Sequence, residues 1–153
     1  MKILVVDDEP SYKLFVRDVL MAAGWDVLMA ENGDEAMTKL KYIKVDVIVS
    51  DIYMPVMDGI KFHRAVRANP DLAKIPFLFV SAFDDQFTLE AVRDPRYDAF
   101  FRKTGQVDHL LEWIEFLSTP EENRPKVPPG TTRSSINLPR GTGNRGGTST
   151  PTL

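Results

Sequence analysis

The chain contains no cysteine, which rules out disulfides and thiolate metal sites. It has no stretch near the ~18 consecutive apolar residues of a membrane-spanning helix. Met1-Lys2 runs directly into four apolar residues, Ile3-Leu4-Val5-Val6, too few for the apolar core of a secretory signal. Neither sign of charge dominates: the net charge is -3, so a general nucleic-acid footprint is not expected. No internal repeat is visible. These absences predict a soluble, cytoplasmic protein that neither enters a membrane nor binds DNA directly. What is present is 153 residues with 43% hydrophobic content, enough for one ordinary core plus a short extension.

Short β-rich runs alternate with helical periodicity. Strands are predicted at Ile3–Val6, Asp26–Ala30, Val45–Ser50, Pro76–Ser81 and Ala99–Arg102. A first helix carries Tyr12, Phe15, Val16, Val19, Leu20 and Ala23 at helical spacing and stops at Gly24. Further helices are predicted over Gly33–Tyr42, from an Asp58 cap to Ala68, over Asp84–Arg93, and over Gln106–Leu117. Five strands alternating with five helices imply an α/β fold with a parallel sheet covered on both faces. Right-handed crossovers favour the flavodoxin-like strand order 2-1-3-4-5, with ligands bound at the carboxyl ends where the order reverses. From Pro120 to Leu153 the composition changes. Six prolines, five glycines and many Ser and Thr leave little apolar surface, and five basic residues face two acidic ones. The expected division is a domain over 1–118 and a disordered tail over 119–153.

The chemistry concentrates at predicted strand ends. Asp7-Asp8-Glu9 closes the first apolar run and Asp51 follows the third. On neighbouring parallel strands these carboxylates converge, and like charges that close need an offsetting cation. A hard divalent ion such as Mg²⁺, which takes oxygen ligands, suits them, and that points to phosphoryl chemistry.

Four elements in order carry a resemblance: Asp7-Asp8, then Asp51 with Met54-Pro55 and Met57-Asp58-Gly59, then Ser81-Ala82, then Lys103. Over roughly Met1 to Ser118 the chain resembles a response regulator receiver domain of two-component signalling, of the stand-alone type. The resemblance implies that Asp51 is the phosphoacceptor, taking a phosphoryl group from a sensor histidine kinase or a phosphotransfer protein. It implies Mg²⁺ held by Asp8 directly, by Asp7 largely through water, by Asp51, and by the backbone carbonyl of Tyr53. Lys103 and Ser81 would contact the phosphoryl oxygens. Ser81 and Phe100 would form the switch, and a protein target would read the surface of the fourth helix, fifth strand and fifth helix. Such a domain is a phosphorylation-controlled binding module rather than an enzyme with turnover, beyond its own phosphorylation and dephosphorylation.

Some positions depart from the family pattern. Thr104 stands where proline in a cis peptide commonly follows the lysine, and a trans bond is expected, since cis costs a non-proline residue ~3–4 kcal/mol. Phe100 replaces a frequent tyrosine. Tyr53 and Phe83 are bulky where a hydrolytic water would approach, so a long-lived phosphoryl group is expected. Plainer readings accompany the rest. Asp58 reads as a helix cap, and His63 and His109 as surface residues. Phe87, Trp113 and Phe116 read as partly covered by loops or, alternatively, as partner contacts. Arg140-Gly141 and Arg145-Gly146 are too few for a nucleic-acid-binding segment. Competing functions are an aspartate-nucleophile phosphatase, a flavin carrier, and a receiver-like module that ignores phosphate. The phosphatase would place an acid where Tyr53 stands. The carrier's phosphate would be repelled by Asp7-Asp8-Glu9.

Overall fold

The structure, a computed structural model, describes residues 1–82 and 94–130. The strands are β1 (Lys2–Val6), β2 (Asp26–Ala30), β3 (Val47–Asp51), β4 (Phe77–Ser81) and β5 (Asp98–Arg102). They form one sheet in the order β2-β1-β3-β4-β5, with every neighbouring pair parallel. The helices among the described residues are α1 (Pro10–Ala22), α2 (Gly33–Leu40), α3 (Gly59–Ala68) and α4 (Val107–Ser118). The helix predicted over Asp84–Arg93 lies outside the described residues.

Side chains of a strand alternate between faces, and here both faces are buried. Leu4, Val6, Ile48, Phe77 and Phe79 pack on the α2–α3 side. Ile3, Val5, Val47, Val49, Leu78 and Val80 pack on the α1–α4 side. This two-sided burial is why the strands read as continuous apolar runs.

Local chemistry sets the helix starts. Pro10 opens α1, where a missing N–H costs nothing. Asn32 caps α2 by accepting from the Glu35 amide at 2.9 Å, and Asp58 caps α3 by accepting from Lys61 at 2.8 Å. Gly24 follows α1 with φ +91°, a conformation that favours glycine.

The structure corrects several expectations. The third strand runs Val47–Asp51 rather than Val45–Ser50, so Asp51 is its last residue, laddered opposite Val80. The buried stripe of α1 is Lys13, Val16 and Leu20, while Phe15 is 51% exposed. Phe15 lies one residue off that stripe, a rotation of about 100°, and the aliphatic stem of Lys13 fills the inward place. Tyr42 falls beyond α2 and is exposed. His63 is buried and sits 3.0 Å from Asp98. Order does not end at Ser118: Glu121–Asn123 forms a 3-10 turn, and Arg124 hydrogen-bonds back to the domain. The remainder of the expected tail, 131–153, lies outside the described residues.

Candidate functional site

The carboxyl ends of four strands build the site. Asp7 follows β1, Asp51 ends β3, Ser81 ends β4 and Lys103 follows β5. The ladder aligns Val6 with Ser50 and Ser81 with Arg102, so these residues lie side by side along one edge. Carboxylate oxygens of Asp7, Asp8 and Asp51 lie within 4.8 Å of one another, with Asp7 and Asp51 buried and Asp8 exposed.

Lys103 closes the cluster. Its Nζ lies 2.8 Å from Asp7 Oδ2, 3.3 Å from Asp51 Oδ2 and 3.4 Å from Glu9 Oε1. Its backbone N–H donates to the Ser81 carbonyl at 2.9 Å, which ties the β5 loop to the end of β4. Burial alone would lower the ammonium, but the hydrogen bond to Asp7 and the charges of Asp51 and Asp7 outweigh it and hold Lys103 above its ordinary value. Asp51 is pushed up to about 6, first by burial and then by the Asp7 charge, against the pull of Lys103 and of the Ile52 amide. One ammonium therefore does not neutralise this pocket. A cluster of hard oxygen donors that still destabilises its own negative charge is compatible with a divalent cation.

The loop after Asp51 is held tightly. Ile52 N–H donates to Asp51 Oδ1 at 2.7 Å, and Gly59 N–H donates to the Ile52 carbonyl at 2.7 Å. A Cβ at Gly59 would collide with the Asp51 carbonyl oxygen, so only glycine permits this approach. Val56, in the same loop, adopts φ +69°, a strained value for a β-branched residue.

The other expected residues are distributed unevenly. Ser81 is fully buried at its strand end. Tyr53 sits two residues beyond Asp51 with its side chain 42% exposed. Phe100 is half-buried and packs against the α2–α3 core, three residues before Lys103 on the same strand and its following loop. No described peptide bond is cis, as expected for Thr104. Phe83 and Phe87 lie outside the described residues.

Two contributors escaped the sequence reading. Tyr12, on the first turn of α1, places its ring centroid 4.6 Å from Lys103 Nζ, within cation–π range. Burial, aided by the neighbouring carboxylates against Lys103, pushes its phenol up to about 12. Glu9 was read only as part of an acidic run, yet it reaches Lys103. The sequence places Tyr12 in the first turn of the helix that follows Asp7-Asp8-Glu9, but its orientation toward Lys103 comes from packing.

Comparison with known proteins agrees with this geometry. The chain is 34% identical over 115 residues to the chemotaxis protein CheY of Bacillus subtilis (strain 168), covering 74% of this chain and 93% of that protein. It is 39% identical over 116 residues to the transcriptional regulatory protein TrcR of Mycobacterium tuberculosis (strain ATCC 25618 / H37Rv), covering 76% of this chain but only 44% of TrcR. The chain thus spans less than half of that regulator. Among solved structures, response regulator protein TrrA of Thermotoga maritima, in complex with Mg(2+)-BeF, superposes with a TM-score of 0.66 at 27% identity, over 76% of this chain and 97% of that one. With residues 3–115 matching the profile described as response regulator receiver domain, and the acidic pocket standing at the strand ends where that fold binds ligands, the chain belongs to the response regulator receiver family.

Proposed function

We propose that the chain is a phosphorylation-controlled binding module whose acceptor is Asp51. The observation that carries this reading is the position of the Asp51 carboxylate, buried at the end of β3 with Lys103 Nζ at 3.3 Å and two further carboxylates beside it. A carboxylate oxygen of Asp51 attacks the phosphorus of a phosphohistidine, the P–N bond breaks, and the departing imidazole takes up a proton. Asp51 carries the resulting acyl phosphate. Lys103 already borders Asp51 and supplies positive charge where the phosphoryl oxygens arrive. Ser81 is the candidate hydroxyl donor to the same oxygens. Asp7, Asp8, Asp51 and the Tyr53 carbonyl are the candidate ligands of Mg²⁺, which when bound screens the carboxylates and stabilises charge on the transferring group. The protein's contribution is positioning and electrostatics, the two effects phosphoryl transfer requires.

The donor in this reading is a histidine kinase or phosphotransfer protein in the cytoplasm. The output is a protein target read through the β5–α4 face and the adjoining segment, with Phe100 turning inward as Ser81 moves toward the phosphoryl group. This is a population shift biased by one covalent group. The test is incubation with a small phosphodonor and Mg²⁺. Wild type should gain one hydroxylamine-sensitive phosphoryl group, and Asp51→Asn should gain none. Equal labelling of the two proteins would reject Asp51 as acceptor.

A further inference from the structure

The family match ends at residue 115, but the chain beyond it stays on the domain. After α4 it makes the 3-10 turn Glu121–Asn123 and runs back along the β5–α4 face. Arg124 fastens it there. Its Nε donates to the Thr119 carbonyl at 2.8 Å, and its Nη2 donates to the carbonyls of Leu117 at 3.0 Å and Arg96 at 2.8 Å. Its guanidinium lies 5.0 Å from the Phe116 ring centroid. A helix end leaves carbonyls without intrahelical donors and carries partial negative charge. The last turn of α4 has no basic residue of its own, and Arg124 supplies the missing cation. Arg96 belongs to the turn entering β5, so one side chain joins the extension to both the helix end and the edge strand. Farther along, Pro129 is buried.

The extension does not seal the face completely. A cavity of about 610 Å³ remains, walled by Phe100, Trp113 and Phe116 from the domain and by Arg124, Pro125 and Pro128 from the extension. Phe100 therefore borders two environments: the α2–α3 core and the space under the extension.

We propose that residues 119–130 are a built-in occupant of the β5–α4 face and that phosphorylation loosens them through Phe100. The coupling rests on the reading that Asp51 accepts the phosphoryl group and that Phe100 turns inward in response. When Phe100 leaves the cavity, the domain loses an apolar wall opposite Pro125 and Pro128, and the extension is held chiefly by Arg124. A protein partner of this face meets the extension before it meets the helix. Because coupling between two sites is reciprocal, a docked extension also disfavours the phosphorylated conformation.

Amide hydrogen exchange on the full chain, with Mg²⁺ and with or without beryllofluoride as the acyl-phosphate mimic, tests this. The reporters are the amides of Asn123, bonded to the Pro120 carbonyl at 2.8 Å, and Arg124, bonded to the Glu121 carbonyl at 3.2 Å. Beryllofluoride should speed their exchange at least about fivefold and should not do so in Asp51→Asn. Arg124→Ala should exchange quickly in both conditions and should bind beryllofluoride several-fold more tightly than wild type. Binding of beryllofluoride with unchanged or slowed exchange at these amides overturns the coupling alone, as does an unchanged affinity in Arg124→Ala. Failure of beryllofluoride to bind wild type overturns the acceptor reading and the coupling together.

Discussion

Asp51 holds the chemistry of the pocket in one titration. Its carboxyl is pushed up to about 6 from an ordinary value of 3.8, so the folded chain favours the protonated form. The contribution of this group to stability is greatest below its ordinary value and is lost as pH rises through about 6. At pH 7.5 and without divalent cations, the ionised Asp51 opposes folding. Asp51→Asn, neutral at every pH, should therefore be more stable than wild type at pH 7.5 by about 1–3 kcal/mol, and the gain should shrink toward pH 4. Urea midpoints in a chelating buffer measure it, and a gain that does not change with pH would contradict the electrostatic origin. Added Mg²⁺ should narrow the difference at pH 7.5, because it relieves the repulsion that the substitution removes.

Among the elements, the loop from Asp51 to α3 packs directly on the backbone of Asp51. Its Met-Pro and Asp-Gly signals were legible in the sequence, Asp58 already as a helix cap, but the close approach at Gly59 was not. Asp58 caps α3, and Gly59 lets the start of α3 press against the backbone of Asp51 itself. Gly59→Ala would drive a Cβ into the Asp51 carbonyl oxygen, a contact that backbone must move to relieve. Overpacking ordinarily costs about 1–3 kcal/mol. Gly59→Ala should lower stability by at least that amount and should also slow labelling by a phosphodonor, since the displaced atoms belong to Asp51, the proposed acceptor. Thermal melts and labelling rates compared at the same folded fraction separate the two effects. A variant as stable as wild type would mean that the loop has slack the geometry does not show.

Across the whole molecule, a buried polar clasp away from Asp51 joins the helical layer to the edge strand. Asp98, at the start of β5, accepts from Arg67 Nη2 at 2.6 Å and lies 3.0 Å from His63 Nε2, and both partners come from α3. Arg67 also donates to the carbonyls of Ala73 and Ile75, which holds the connection into β4. Burial works against the Asp98 charge, but His63 and Arg67 outweigh it and hold the carboxyl below its ordinary value. The sign is opposite to that of Asp51: this stability is present above the ordinary carboxylate value and is lost as pH falls through the lowered one. Removing one partner of a buried pair leaves the other uncompensated, at about 3–5 kcal/mol. Asp98→Ala should lose stability in that range at pH 7, measured by urea unfolding, and a loss below ~1 kcal/mol would show that water already screens the clasp.

Strand number, parallel arrangement and the acidic pocket followed from the sequence, because apolar runs of strand length and charges at their ends are local signals. Asp7, Asp8, Asp51, Ser81 and Lys103 were each legible as residues standing just after or at the end of such a run. Orientation across elements was not legible. That Tyr12 lies against Lys103, that Lys13 rather than Phe15 faces inward, and that His63 meets Asp98 depend on how α1 and α3 rotate against the sheet, which packing decides and periodicity leaves open by a residue. Residues 119–130 show the same limit. Their Pro-rich composition carries no core signal, and their order draws on contacts that only the folded domain brings together, among them Arg124 on three backbone carbonyls.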